Sequence, residues 1–218
     1  MNRKNVLIPL AMIIIAGIIA AVAVVAGGND DEPSDVAAQD TGSALVRDDS
    51  HRLSPAGDDA PVFVEFLDFE CEACAAAYPA IEQLREQYGD DVQFVARYFP
   101  LPGHFNAERA ARTVEAAAQQ GQFEAMYQKM FDTQSSWGEQ DVPLDDLFRS
   151  YAEELGLDME LFDAAYDDPA TLARIQRDVA DGKSLGVSST PTFFLDGERL
   201  EPQSFDDLVQ SFDAAITS

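Results

Sequence analysis

Two cysteines close together in the chain are the residues best suited to chemistry. Cys71 and Cys74 are its only cysteines, and a helical pattern begins at the first of them. The first turn of a helix brings two such sulfurs within bonding distance, and the positive end of the helix dipole favours a thiolate on the first one. We therefore expect Cys71 to be the more exposed, attacking sulfur and Cys74 to be the resolving sulfur.

Two other roles for the pair are weaker but open. A purely structural disulfide between Cys71 and Cys74 would close a very small loop, which adds little stability by the chain-entropy argument. A zinc site would need two more ligands, and the chain has only two histidines, His51 and His104. Reversible dithiol–disulfide exchange is the favoured interpretation, with a metal-handling or purely binding module as the alternative. Exchange needs no organic cofactor, because the electrons reside in the dithiol pair.

The segments around the cysteines predict a strand, a helix and a second strand. Residues 61–67 (PVFVEFL) are apolar on both faces except at Glu65, a pattern typical of a central strand. Apolar residues then recur at helical spacing from near Cys71 to Gly89, and residues 92–99 (VQFVARYF) form the next strand. This order predicts a right-handed parallel β-α-β unit.

The rest of the chain predicts a helical insertion and a returning hairpin. Helical patterns fill about residues 104–185, and the β pattern resumes at 192–195, with a tight turn at 196–197 and a short return strand at 198–200. A last amphipathic helix follows. We expect an α/β domain over residues 61–218, with a mixed four-stranded sheet and helices on both faces.

A second signal lies far downstream of the cysteines, at a proline that precedes the returning strand. Here the chain resembles the thioredoxin superfamily, and specifically the DsbA-like thiol–disulfide oxidoreductases. The matching segments are residues 66–74 (FLDFECEAC), the helical insertion and residues 186–194 (GVSSTPTFF), and the resemblance covers about residues 60–218. It implies a thioredoxin-like fold and an enzyme that exchanges disulfides through a redox-active Cys71–Cys74 disulfide.

The resemblance also implies roles for two residues of the downstream segment. Pro191 is expected to follow a cis peptide bond and to face the cysteine pair. Thr190 is expected to offer its backbone groups to an extended substrate peptide, which would bind by strand addition. The alternative is a proline at an ordinary strand start.

Glu65 is the third candidate element of the site. It lies six residues before Cys71, where the family carries a buried acid beneath the active-site helix. An acid in an apolar strand should have a raised pKa, which would suit Glu65 to accept the proton of Cys74 during the second exchange step. A structural acid partnered by a nearby hydroxyl or cation is the alternative.

The dipeptide between the cysteines departs from the family pattern. DsbA carries Pro-His there, and the histidine stabilises its thiolate, whereas this chain has Glu72-Ala73, with Glu70 just before the pair. Nearby carboxylates should disfavour a thiolate. The sequence therefore predicts a less oxidising pair than that of DsbA, because a destabilised reduced form lowers the reduction potential. The histidine downstream, His104, is interpreted as structural.

The charge of the chain excludes several classes of partner. The sequence has 14 Lys+Arg against 40 Asp+Glu, which gives a formal net charge of −26. Binding to nucleic acid, or to anionic lipid through a basic patch, requires a cationic surface, so neither is expected. The acidity is interpreted as a solvated surface suited to high salt, with electrostatic steering of cationic substrates as the alternative.

The N-terminal residues predict export and a membrane tether. Residues 1–5 carry two basic side chains and should stay cytoplasmic, while residues 6–26 (VLIPLAMIIIAGIIAAVAVVA) are uncharged and long enough to cross a bilayer. We interpret this transmembrane span as a signal-anchor, with a cleaved signal peptide as the alternative. Residues 27–60 are acidic and poor in large apolar groups, which predicts a disordered linker with His51 as one of its solvated residues.

The combined expectation is a single-pass membrane protein with a thiol–disulfide oxidoreductase domain on the extracytoplasmic side of the cell membrane. Its partners would be the thiols and disulfides of exported proteins and, by the resemblance, a membrane redox protein that recycles the cysteine pair. A reductase or isomerase of exported thiols is the alternative within the same chemistry.

Overall fold

A five-stranded mixed sheet forms the centre of the part of the chain that the structure describes. The computed structural model describes residues 44–217. Its strands are β1 (His51–Arg52), β2 (Val62–Leu67), β3 (Gln93–Tyr98), β4 (Thr192–Leu195) and β5 (Glu198–Leu200). They lie in the order β1-β3-β2-β4-β5, in which β2 and β3 are parallel and the other neighbouring pairs are antiparallel.

Helices cover this sheet and fill the connection between β3 and β4. In chain order they are α1 (Glu72–Tyr88), α2 (Ala107–Ala118), α3 (Phe123–Trp137), α4 (Asp145–Glu154), α5 (Met159–Asp167), α6 (Pro169–Ser184) and α7 (Phe205–Ala215). Helices α2 to α6 occupy the region where the sequence predicts a helical insertion. Within residues 44–217, no helix has the length and apolar character needed to span a bilayer. The predicted cytoplasmic residues 1–5 and membrane span 6–26 lie outside the described residues.

The central strand β2 places Glu65 beneath helix α1. Side chains alternate between the two faces of a strand, so Phe63 and Glu65 share one face of β2. Phe63 belongs to the same buried cluster as Leu84 of α1, whereas Val64 belongs to a separate core cluster. Both faces of β2 are therefore covered, and Glu65 lies on the face that α1 covers.

Local sequence signals explain two boundaries of these elements. Asp168 caps α6, since its carboxylate accepts a hydrogen bond from the backbone N–H of Ala170 at 2.8 Å, and Pro169 is the first helical residue. In the hairpin between β4 and β5, Asp196 and Gly197 have φ angles of 48° and 85°. Positive φ at both central residues is typical of the tight turn that joins two antiparallel strands.

Helix α6 approaches the sheet closely at Gly182. A Cβ atom at this position would lie 2.9 Å from the ring of Phe99 and 3.0 Å from that of Phe66. Such distances are too short for carbon atoms that are not bonded, so the helix can lie this near the sheet only with glycine here. The same helix carries two buried acids, Asp178 and Asp181.

The segment 44–60 differs from the sequence expectation. The sequence predicts four strands and a disordered linker as far as residue 60, but Leu45 is buried in a core cluster. His51–Arg52 forms the edge strand β1, with His51 opposite Ala96 of β3. Both predictions are wrong for this segment, because a two-residue strand has too few positions to show a β periodicity. The rest of the predicted linker, residues 27–43, lies outside the described residues.

Arg97 of β3 attaches this segment to the domain. Its guanidinium is 0% exposed and donates hydrogen bonds to the carbonyl oxygens of Ala44 at 2.9 Å and Leu45 at 2.5 Å. It also forms ion pairs with Asp178 at 2.8 Å and with Asp181 at 2.6 Å. A buried arginine is tolerated here because carboxylates and carbonyl groups replace the water that would otherwise solvate it.

His51 forms a second contact between the same segment and the helices. Its Nε2 atom lies 2.7 Å from a carboxylate oxygen of Glu115, and its ring stacks on Phe123 with the ring centres 3.9 Å apart. The interpretation of His51 as a solvated linker residue is therefore wrong. No local pattern in the sequence indicates this contact, because Glu115 lies 64 positions away in the chain.

Replacing Arg97 tests how this segment is held. Arg97→Met removes the buried counter-charge that Asp178 and Asp181 share. Among the described side chains, Asp178 then keeps only Arg174 as a cationic partner and Asp181 only Arg47, so the free energy of unfolding should fall by about 3 kcal/mol. Arg177→Met is the matched control, because Arg177 pairs with Asp49 at the surface, where an ion pair contributes about 1 kcal/mol or less. Chemical denaturation of both variants measures the difference. Equal losses would contradict the assignment of Arg97 as the main attachment point.

Candidate active site

The two cysteines lie at the junction between β2 and α1. Cys71 is the residue that precedes the helix, and Cys74 is in its first turn. Cys71 is 7% exposed, whereas Cys74 is 0% exposed. Both are free thiols in this structure. The more accessible sulfur is therefore the first of the two, the one that the sequence predicts to attack.

The surroundings favour a thiolate on Cys71 and a thiol on Cys74. A hydrogen bond from the Cys74 thiol is the main cause that lowers the pKa of Cys71, to about 5. Burial opposes this effect, while the Thr190 side chain and the backbone N–H groups at the start of α1 add to it. Burial, followed by the hydrogen bond to Cys71, raises the pKa of Cys74 far above its usual range. At neutral pH, Cys71 is therefore the nucleophile and Cys74 keeps its proton.

Thr190 and Pro191 lie in the loop that precedes β4, and Thr190 contacts Cys71. The Thr190–Pro191 peptide bond is cis, as the family resemblance implies. The Cys71 thiol donates a hydrogen bond to the carbonyl oxygen of Thr190 at 3.4 Å, a contact between residues 119 positions apart. The Thr190 hydroxyl is buried and has no hydrogen-bond partner within residues 44–217, so it is available to donate to a Cys71 thiolate.

Glu65 lies on the α1 face of β2 and is electrostatically coupled to the cysteines. Burial raises the pKa of its carboxyl to about 8, with smaller contributions from the charges of Glu82 and Cys71. The charge of Glu65 in turn contributes to the raised pKa of Cys74. Among the described side chains, none forms an ion pair or a hydrogen bond with this carboxyl. The alternative interpretation, in which Glu65 is a structural acid with a hydroxyl or cation as its partner, is therefore not supported within residues 44–217.

An open cleft with a volume of about 430 Å³ leads to Cys71. The side chains that give it its chemical character are Glu70, Glu72, Glu139, Asp141, His104 and Phe105. The charge of Glu70 is stabilised locally, because its carboxylate accepts a hydrogen bond from the backbone N–H of Asn106 at 2.6 Å. The Cys71 thiolate is favoured although Glu70 precedes the pair and Glu72 lies between the two cysteines. The expected reduction potential below that of DsbA stays a prediction.

Sequence reasoning missed the part of His104 in this cleft and its buried partner, Asp68. The Nδ1 atom of His104 lies 2.6 Å from a carboxylate oxygen of Asp68, and this contact joins positions 36 residues apart. His104 lines the same cleft as Cys71. A loop histidine carries no periodic pattern that could indicate such a partner, so its interpretation as purely structural rested on chain position alone.

These groups together can carry out thiol–disulfide exchange. A thiolate faces the cleft, a protonated thiol lies behind it, and a buried acid with a raised pKa is coupled to both. Efficient exchange needs an attacking sulfur that is ionised near the ambient pH and a resolving sulfur within reach. Among the described residues, no group of three or more His, Cys, Asp and Glu side chains is arranged to hold a metal ion.

The site lies inside a recognised family domain. The family model described as Thioredoxin matches residues 57–214. This chain belongs to the thioredoxin family. The matched region contains all five candidate site residues, which are Glu65, Cys71, Cys74, Thr190 and Pro191, so the family assignment and the site geometry concern the same part of the protein.

Solved structures of thioredoxin-like proteins share this fold. A thioredoxin-like oxidoreductase from Silicibacter pomeroyi DSS-3 is 26% identical with a TM-score of 0.67, and the match covers 81% of this chain and 98% of that one. The alpha-DsbA1 protein of Wolbachia pipientis is 17% identical with a TM-score of 0.70, over 82% of this chain and 96% of that one. At the lower identity, the likeness shows the fold alone.

The curated relatives that this chain matches are much longer proteins. The chain is 42% identical over 137 residues to the Na(+)/H(+) antiporter NhaA of Herminiimonas arsenicoxydans, covering 63% of this chain and 21% of that protein. It is 41% identical over 164 residues to the Na(+)/H(+) antiporter NhaA 1 of Mycobacterium sp. (strain KMS), covering 72% and 26%. The chain thus spans about a quarter or less of these relatives, and ion exchange is not carried over to it.

The reactivity of Cys71 should follow its low pKa. Iodoacetamide reacts with thiolates, so the alkylation rate of the reduced chain should rise through a midpoint near pH 5 and then level off. Because the pKa is depressed from 9.0 in the folded protein, ionisation stabilises the reduced fold fully above about pH 9, and this stability is lost as the pH falls towards about 5. Stopped-flow alkylation and chemical denaturation measure both effects.

The control for this measurement is the Cys71→Ser variant. Because Cys74 is completely buried, the rapid alkylation should disappear in this variant. A midpoint near the ordinary thiol pKa of 9.0 in the unsubstituted chain would contradict the assignment of a stabilised thiolate.

Proposed function

We propose that this chain is a thiol–disulfide oxidoreductase that exchanges disulfides with exported proteins through Cys71 and Cys74. The observation that carries the proposal is the placement of two sulfurs in one helical turn, with Cys71 at an open cleft and Cys74 completely buried. The low pKa of Cys71 and the raised pKa of Cys74 agree with this placement. Membership of the thioredoxin family and the likeness to a thioredoxin-like oxidoreductase support this chemistry.

The oxidising direction starts from the Cys71–Cys74 disulfide. A substrate thiolate attacks Cys71 Sγ, the bond between the two cysteines breaks, and Cys74 leaves as a thiolate that takes up a proton. A second substrate thiolate then attacks the first substrate sulfur, and Cys71 leaves as a thiolate. The substrate loses two electrons and gains a disulfide, and the cysteine pair holds those electrons. The same steps in reverse reduce a substrate disulfide.

The loop at Thr190 and Pro191 is proposed to bind the substrate peptide. It lies next to the attacking sulfur, and the Thr190 carbonyl oxygen, which accepts the Cys71 thiol hydrogen bond, is a group that an extended peptide can engage once the thiol is ionised. Backbone hydrogen bonds of this kind resemble strand addition and do not depend on the substrate sequence. This mode suits an enzyme that acts on many unfolded clients.

The domain is proposed to work outside the cytoplasm while attached to the membrane. The uncharged run at 6–26 and the basic residues before it support a signal-anchor with this orientation. A membrane redox protein would then recycle the cysteine pair by accepting its two electrons.

Cysteine variants of the full-length chain test the exchange activity. Cys71→Ser should abolish the oxidation of a reduced peptide, because no sulfur then remains at the cleft. Cys74→Ser should still react with a disulfide peptide but should retain it as a mixed disulfide on Cys71, because the resolving thiol is missing. Mass spectrometry detects this adduct. Turnover that persists in Cys71→Ser, or stoichiometric metal retention by the reduced chain in place of turnover, would refute the proposal.

The role of Glu65 is tested by comparing two steps of the exchange. Release of a mixed disulfide requires Cys74 to lose its proton, so Glu65→Gln should slow release by at least about tenfold and leave formation, which needs only the Cys71 thiolate, nearly unchanged. In the unsubstituted chain, release should accelerate as the pH rises to about 8, because only the ionised carboxyl can accept a proton. Stopped-flow measurement of both steps provides the comparison.

Glu115→Gln is the matched control for the Glu65 variant. Glu115 is also a buried acid, but its carboxylate contacts His51 and lies away from the cysteine pair. This variant should leave the ratio of the two rates unchanged. If Glu65→Gln slowed formation and release equally, Glu65 would have no part in proton transfer.

A further inference from the structure

The cleft beside Cys71 has one basic side chain among the described residues that line it. That side chain is His104, in the loop between β3 and α2, and the acids around it are Glu70, Glu72, Glu139 and Asp141. The dipeptide between the two cysteines, where DsbA carries its histidine, is Glu72-Ala73 here. The structure therefore places an imidazole from a different segment of the chain in the cleft that leads to Cys71.

Asp68 holds this imidazole in a defined orientation. Its carboxylate side chain is 0% exposed, and one of its oxygens lies 2.6 Å from Nδ1 of His104. The backbone N–H groups of Glu70 and Leu101 donate to the same carboxylate, each at 2.9 Å. Asp68 is thereby joined both to the turn before Cys71 and to the loop that carries His104. Because Nδ1 is engaged, the other ring nitrogen of His104 is the one left to face other groups.

The charges around His104 favour its protonated form. Burial alone would lower its pKa, but the hydrogen bond to Asp68 and the negative charges of Asp68, Cys71 and Glu70 outweigh burial, so the pKa of His104 lies above its usual value. Burial raises the pKa of Asp68, whereas the hydrogen bond and the charge of His104 lower it, so the pairing itself favours a carboxylate on Asp68 and a proton on His104. His104 and Cys71 line the same cleft, so the protonated imidazole and the Cys71 thiolate attract each other there.

We propose that protonated His104, positioned by Asp68, stabilises the Cys71 thiolate and supplies the positive charge that the dipeptide between the cysteines lacks. The inference rests on the exchange chemistry proposed above. Cys71 is a thiolate both when it attacks a substrate disulfide and when it leaves a mixed disulfide, so one cation serves both directions. No bond to His104 forms or breaks, and no proton leaves it. Because the His104 cation stabilises only the reduced form of the cysteine pair, it raises the reduction potential and makes the disulfide form a stronger oxidant.

The first test uses the unsubstituted full-length chain. The attraction between two charges is reciprocal, and the thiolate exists only when the pair is reduced. NMR titration should therefore give a His104 pKa that is about one unit higher in the reduced chain than in the oxidised chain, a tenfold difference in proton affinity. The ring signals of the other histidine, His51, which does not line this cleft, are the internal control. An unchanged His104 pKa would overturn the proposal.

The second test separates the charge of His104 from its hydrogen bond. His104→Gln keeps a donor for Asp68 without the charge, so the alkylation midpoint of Cys71 should rise by about one pH unit and the equilibrium with glutathione should shift about tenfold towards the oxidised chain, about 30 mV. His104→Lys restores a cation and should stay within about threefold of the unsubstituted chain. His51→Gln is the matched control and should change neither measurement.

Two outcomes of the variant experiment would overturn the proposal. One is a His104→Gln variant with an unchanged alkylation midpoint and glutathione equilibrium. The other is an equal shift in His104→Gln and His104→Lys, since the position of the loop and not the charge would then control Cys71. Neither measurement depends on turnover of a protein substrate. A failure here is therefore distinguishable from a failure of the exchange activity, which the cysteine variants report.

Discussion

The pairing of an accessible sulfur with a buried one in a single helical turn is the constraint on which the chemistry of this protein depends. The hydrogen bond between the two sulfurs lowers the pKa of the accessible sulfur, and together with burial it raises the pKa of the inaccessible one. Both effects arise within one helical turn, so neither sulfur can change its surroundings without changing those of the other. The rest of the domain holds this turn between a buried acid on β2, the loop before β4 and the histidine loop. The small difference in burial between the two sulfurs therefore assigns attack to Cys71 and resolution to Cys74.

The local part of the site could be predicted from the sequence because its members are linked by regular structure. Cys71 and Cys74 share a helical turn, and Glu65 lies a few residues before them in a strand that the sequence indicates by its run of apolar residues on both faces. Pro191 was identified through a family resemblance, since nothing in its own segment indicates which residues it will face. The order of strands and helices between residues 62 and 200 also followed from periodicity and turn residues.

The parts that could not be predicted depend on pairs of residues far apart in the chain. Arg97 meets Asp181 across 84 positions, and His104 meets Asp68 across 36. A charged residue in a strand or loop shows that it needs a partner, but it carries no pattern that identifies the partner. The edge strand β1 was missed for a related reason, because its two residues are ordered by pairing with β3, more than 40 positions away, and not by their own propensity.

Gly182 links the steric and the electrostatic restraints on helix α6. The absence of a side chain lets this helix lie against the rings of Phe66 and Phe99, and the residue just before it, Asp181, reaches both Arg97 and Arg47. Any side chain at position 182 would push the helix outward and lengthen these ion pairs at the same time. Helix packing and charge pairing on this side of the sheet therefore change together. A methyl group at position 182 would move Asp181, and through Arg97 it would also disturb the hydrogen bond to the backbone of Ala44.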